Sequence, residues 1–149
     1  MELVHASCVA IAGRAVLIRG PSGSGKSDLA LRLIDHGAEL VADDFVELRA
    51  EKARVLATSP ERLAGLIEVR GLGLVRMPCC RQAALALVVD LSPPDEVRRL
   101  PDQESERICG VDVPHLALVA HEVSAPAKIR LMLRLLDASQ GGDYGLEPL

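Results

Sequence analysis

Short apolar runs broken by glycine, proline or charge recur along most of the chain, and longer helical spacing occurs in two places. Leu3 to Ile11 is apolar, meets Gly13-Arg14, and resumes as Ala15 to Ile18, which predicts two strands joined by a tight turn. From Lys26 onward, Leu29, Ala30, Leu33 and Ile34 fall on one helical face, and Gly37 supplies the stop. Leu40-Val41-Ala42 and Phe45 to Leu48 read as strands on either side of Asp43-Asp44, and Ala53 to Ala57 as another. Ser59-Pro60-Glu61 has the form of a helix start, predicting a short helix through Leu63 and Leu66. Ala83 to Leu91 is an apolar strand of the buried type, ended by Ser92-Pro93-Pro94. Pro94 to Ser105 reads as a charged loop, Ile108 and Val111 flank a turn, and Leu116 to Ala120 is a further strand. Ser124 and Pro126 open a last helix with Ile129, Met132, Leu133 and Leu136 on one face. Gln140 to Leu149 has the composition of a loose tail. The pattern predicts one α/β domain over residues 1–137 and a flexible tail over 138–149, with no repeats.

At 149 residues the chain is long enough for one core. Phe45 and Tyr144 are its only aromatic residues, so aliphatic side chains must build that core. A net charge of −4 and the lack of rings on which bases could stack argue against a nucleic-acid partner. No apolar run approaches the roughly 20 residues needed to span a bilayer, and no signal segment opens the chain, so a cytoplasmic protein without a membrane partner is expected. Cys8, Cys79, Cys80 and Cys109 lack zinc-site spacing and are expected to be reduced, mostly buried thiols, with a redox role for Cys79-Cys80 as the alternative.

One stretch changes the picture. Gly20-Pro21-Ser22-Gly23-Ser24-Gly25-Lys26-Ser27 reads GxxxxGK(S/T) between an apolar strand and a helix, the context a phosphate-binding loop requires. Its glycines let backbone N–H groups converge on an anion at a helix N-terminus, with Lys26 reaching phosphate and the Ser27 hydroxyl holding Mg²⁺. Asp43 and Asp44 end the next strand, where such proteins keep carboxylates for metal and nucleophile; two surface acids in a turn are the alternative. Neighbouring strand residues point to opposite faces, so the two acids should do different work. In Ile67 to Gly73, an extended backbone would put Glu68 and Arg70 on one face, either as part of a site or as an exposed ion pair. His5 should lie beside the loop if the first two strands pair; alone it reads first as a hydrogen-bonded structural histidine. His36 reads as a complement to the helix dipole. Arg98 and Arg99 sit in a segment that is either a solvated loop or a source of a mobile arginine.

With the glycine-rich loop, Val41-Ala42-Asp43-Asp44 and Glu68-Val69-Arg70-Gly71-Leu72-Gly73 in that order, the sequence resembles the catalytic domain of the HPr kinase/phosphorylase family over about His5 to Leu136. The resemblance implies a mixed sheet like that shared with phosphoenolpyruvate carboxykinases, and the short form of the family without its N-terminal domain. It implies ATP and Mg²⁺ as cofactors and an HPr-like phosphocarrier protein as partner. It makes Lys26 the phosphate ligand, Ser27 and Glu68 metal ligands with Asp43 beside them, Asp44 the base, His5 a catalytic residue supporting it, and Arg99 or its neighbour Arg98 the catalytic arginine. Val119 to Ser124 lacks the family's proline-glycine-arginine loop, which argues against the phosphorylase direction. Met77 to Arg81 replaces the usual glycine and aromatic run, so a homo-oligomer stays open.

The expected reaction is transfer of a γ-phosphoryl group from ATP to a serine of the phosphocarrier. A small-molecule kinase and a non-catalytic ATP-binding sensor are the alternatives.

Overall fold

Val9, Ile11, Val16 and Ile18 pack on one side of the central sheet, and Cys8, Ala10, Ala15 and Leu17 on the other. That is the period of two expected where strands are buried on both faces. The computed structural model describes residues 1–138 and 142–148. Gln140 and Leu149, the bounds of the expected loose tail, lie outside them. Among the described residues the strands are β1 (Glu2–His5), β2 (Ser7–Ile11), β3 (Arg14–Arg19), β4 (Glu39–Ala42), β5 (Phe45–Glu51), β6 (Arg54–Thr58), β7 (Leu66–Val69), β8 (Gly73–Arg76), β9 (Gln82–Leu91), β10 (Glu104–Ile108) and β11 (Val111–Leu118). The α-helices are α1 (Lys26–Asp35) and α2 (Ala125–Ala138).

Nine strands form one mixed sheet in the order β1-β5-β6-β9-β3-β2-β4, with β11 added to β9 and β10 to β11; β7 and β8 form a separate hairpin. The sheet forks at β9. Along one edge β9 runs parallel to β3, while its other edge pairs first with β6, antiparallel, and then from Val88 to Leu91 with β11, parallel. β4 and β3 are both antiparallel to β2. The carboxyl ends of β3, β4, β9 and β11 therefore open on one edge of the sheet, the place where parallel strands present ligand sites.

Leu29 and Leu33 of α1 and Ile129 and Leu133 of α2 cover one face against Val16, Ile18, Leu87 and Val89. On the other face Val46, Leu48, Val55, Ile108 and Val113 close over Leu17 and Val88. Arg130 of α2 donates to the carbonyls of Leu33 and His36, both at 2.9 Å, tying α2 to the C-terminal end of α1. Truncating fully buried Leu133 to alanine should cost about 2–5 kcal/mol. Denaturant unfolding would show it as a lower midpoint at unchanged slope.

Several expectations need correction. The run Leu3 to Ile11 is two strands broken at Ala6, and β1, which carries His5, pairs with β5 rather than β3. The short helix is a single 3-10 turn, Glu61–Leu63, and Leu66 already belongs to β7. β10 begins inside the expected Pro94 to Ser105 loop, and β11 starts earlier and stops sooner than Leu116 to Ala120. Only Cys8 is fully buried among the four free cysteines; Cys79, Cys80 and Cys109 are half-buried. No helix among the described residues is long and apolar enough to cross a membrane.

Candidate active site

The segment between β3 and α1 folds tightly back on itself. A Cβ at Gly20 would stand 2.6 Å from Ser24 Oγ and 3.2 Å from Leu91 Cβ, so no larger residue fits there. Gly25 takes the left-handed conformation, φ 98°, at the N-cap of α1, and no side chain caps the helix. The first-turn N–H groups are thus left for a ligand. Lys26 Nζ donates to the carbonyls of Gly20 at 2.7 Å and Pro21 at 3.1 Å. An ammonium has three hydrogens, so one donor remains. Ser24 Oγ is buried with no hydrogen-bond partner among the described residues.

At the end of β4 the two aspartates part company. Asp43 is buried: its Oδ1 accepts from Ser7 Oγ at 2.7 Å and Ser27 Oγ at 2.8 Å, and its Oδ2 from the Glu68 N–H at 3.2 Å. Asp44 is exposed and accepts at Oδ1 from His5 Nε2 at 2.7 Å. An ionised carboxylate can only accept, which puts the imidazole hydrogen on Nε2. Strand alternation does not cause this divergence, because β4 stops at Ala42. Asp44 instead sits at φ 70°, inside a three-residue turn closed by Phe45 N–H to Asp43 O at 2.8 Å. The Ala6 N–H, at the break between β1 and β2, donates to Asp44 O and fixes that turn. The β1–β5 pairing sets His5 opposite Phe45, and their rings touch with centroids 5.4 Å apart.

The β7–β8 hairpin starts beside Asp43, and the Glu68 side chain is exposed, with no hydrogen bond among the described residues. Arg70 falls in the turn after β7, so it does not share a strand face with Glu68. Arg98 and Arg99 are exposed in the segment between β9 and β10, again without a hydrogen bond among the described residues, although that segment leaves the sheet beside the glycine-rich loop. The structure thus joins His5 to Asp44, and Ser27 to Asp43 and the Glu68 backbone, but not the arginines. Ser7 was missed by sequence reasoning; its signal was a lone hydroxyl inside an apolar strand.

The donors along this edge fit a phosphate chain: free helix N–H groups, the orphaned Ser24 hydroxyl and the third Lys26 hydrogen. The oxygens of Ser27, Asp43 and Glu68 fit a hard divalent cation. An α/β sheet with a strand, glycine-rich loop and helix unit, and an acid pair on the neighbouring strand end, defines a class of phosphate-loop domains.

Comparison narrows the class. The sequence profile described as HPr Serine kinase C-terminal domain matches residues 1–132. A protein of Geobacillus thermodenitrificans (strain NG80-2) named HPr kinase/phosphorylase is 37% identical over 127 residues, covering 77% of this chain and 41% of the relative. One of the same name from Limosilactobacillus reuteri (strain DSM 20016) is 33% identical over 158 residues, covering 98% and 47%. The solved Hpr(Ser) kinase/phosphatase from Coxiella burnetii matches with a TM-score of 0.84 at 28% identity, over 95% of this chain and 100% of that one. The chain belongs to the HPr serine kinase C-terminal domain family. It spans less than half the length of these two curated relatives.

Proposed function

We propose that residues 1–137 form a catalytic unit that transfers the γ-phosphoryl group of ATP to a serine of an HPr-like phosphocarrier protein in the cytoplasm. The observation that carries this reading is the split acid pair: one buried carboxylate tied to the Ser27 hydroxyl, and one exposed carboxylate oriented by His5 at the same sheet edge. Family membership supports the phosphocarrier as acceptor.

When bound, Mg²⁺·ATP supplies the activated phosphoryl group and the charge that neutralises its oxygens. The free N–H groups at the start of α1 and the Lys26 ammonium hold the phosphates, and Ser27, Asp43 and Glu68 hold the cation. By accepting the Ser27 hydrogen, Asp43 leaves that hydroxyl's lone pairs for the metal. Asp44, open to solvent, takes the proton of the acceptor serine, and His5 keeps its carboxylate aimed. Arg99, with Arg98 beside it, is the cation that comes over the transferred group from the segment between β9 and β10.

Incubation with labelled ATP and purified HPr tests the reading. Labelled phosphoserine on HPr is the expected result; label on a small molecule, or none transferred, would overturn it. Inorganic phosphate added afterwards should not release the label, because Val119 to Ser124 lacks the family's loop for that direction.

A further inference from the structure

Arg19 ends β3 and immediately precedes Gly20. Its planar fork is used twice. Nε and Nη2 donate to the two oxygens of Asp90, each at 2.8 Å, while Nη1 and Nη2 donate to the two oxygens of Glu106 at 2.6 and 2.7 Å. His115 Nε2 donates to Asp90 Oδ2 at 2.6 Å, and its Nδ1 faces Glu104 at 3.7 Å. The residues that join Arg19 in this network come from three further strands: Asp90 from β9, Glu104 and Glu106 from β10, and His115 from β11.

The placement matters more than the number of bonds. Asp90 lies directly opposite Arg19 across the β3–β9 ladder, just before the segment 92–103 begins. Glu104 and Glu106 stand where that segment ends, on a strand that among the described residues pairs only with β11. Among the described residues, the Arg19–Glu106 pair is the direct polar tie between β10 and β3. One guanidinium therefore grips both ends of the segment that carries Arg98 and Arg99, from a position next to the residue whose carbonyl holds Lys26.

We propose that Arg19 is a positioning residue for phosphoryl transfer: through Asp90 and Glu106 it fixes the arginine-bearing segment against the start of the glycine-rich loop, and so sets where its arginines reach. The proposal rests on the assignment of Arg98 or Arg99 to the reaction. The ligating atoms of Asp90, Glu106 and His115 lie within 4.8 Å of one another, a spacing a divalent cation could bridge. Here the guanidinium already supplies positive charge to both carboxylates, and its two-sided planar geometry is one that lysine cannot reproduce. The electrostatics agree with the geometry. The hydrogen bond from Arg19 holds the Glu106 carboxyl below its ordinary range; burial would raise Asp90, but the bonds from Arg19 and His115 outweigh it.

The test compares Glu106→Gln, the double variant Arg98→Ala with Arg99→Ala, and all three changes together, reading kcat for HPr phosphorylation, nucleotide affinity and thermal unfolding. Glu106→Gln should lower kcat about 10- to 100-fold, the scale of an ångström-sized misplacement of a reacting group. Nucleotide affinity should not change. The triple variant should be no slower than the double, because an arginine already removed cannot be misplaced. Losses that multiply in the triple variant would overturn the proposal, as would a fall in kcat matched by an equal loss of nucleotide affinity, which marks general loosening. Full activity of the Arg98→Ala, Arg99→Ala variant would instead overturn the arginine assignment on which the proposal rests.

Discussion

Replacing Asp44 with asparagine is expected to lower HPr phosphorylation by about 100- to 10,000-fold, the contribution typical of a positioned general base, while nucleotide binding stays intact. Asparagine is the informative choice for three physical reasons. It tolerates the left-handed backbone that Asp44 adopts at φ 70°, where alanine would add strain. Its side-chain oxygen can still accept the hydrogen that His5 Nε2 donates at 2.7 Å, so the link between β1 and the turn is kept. What it loses is the charge and with it the capacity to take a proton. Because Asp44 is exposed and, among the described residues, its hydrogen bonds go to His5 and the Ala6 N–H rather than to the glycine-rich loop, the phosphate-holding groups should not register the change. Initial rates on HPr, set beside nucleotide titration of the same variant, check both halves. A variant that still phosphorylates HPr at the parent rate would remove Asp44 from the role of base.

What could be read from the sequence was what the chain places in one contiguous stretch. The glycine-rich loop carries its strand and helix with it, so Gly20 to Ser27 needed no distant partner to be recognised, and the apolar run ending at Leu91 announced the central strand. The acid pair was equally visible, but not the reason its members diverge: that lies in a three-residue turn at Asp44 held by the Ala6 N–H. His5 was placed at the site by the wrong ladder. Its strand breaks from the next at Ala6 and joins β5, and no local pattern distinguishes a nine-residue strand from two short ones pairing with different neighbours. The same limit hid the Arg19 network, in which Arg19 and Glu106, 87 residues apart along the chain, meet only because β9 changes partners halfway along its length. Glu68 and Arg70 were judged together on the assumption of a continuous strand; Gly71, at φ 92°, instead belongs to the turn that ends it.

Asp43 should prove the more damaging position for the fold and for the metal at once. Its buried carboxylate accepts from Ser7, Ser27 and the Glu68 N–H, so it joins β2, α1 and β7 through a single side chain. In Asp43→Ala all three donors lose their partner in a site with little access to water, a cost on the order of 3 kcal/mol. That is a large share of the roughly 5–15 kcal/mol that holds a typical domain together, and thermal unfolding should show it. Asp43→Asn separates fold from function. Its one oxygen can still take the hydroxyl hydrogens of Ser7 and Ser27, but its amide group then meets the Glu68 N–H donor to donor, and the negative charge near the cation is gone. The expected result is a variant that folds, needs far more Mg²⁺ for half-maximal rate, and stays at least about 100-fold slower at saturating Mg²⁺, as removal of a charge that stabilises the transition state commonly does. An unchanged Mg²⁺ requirement in folded Asp43→Asn would leave Asp43 as a structural bracket alone, and the cation would then have to be held by Ser27 and Glu68 without it.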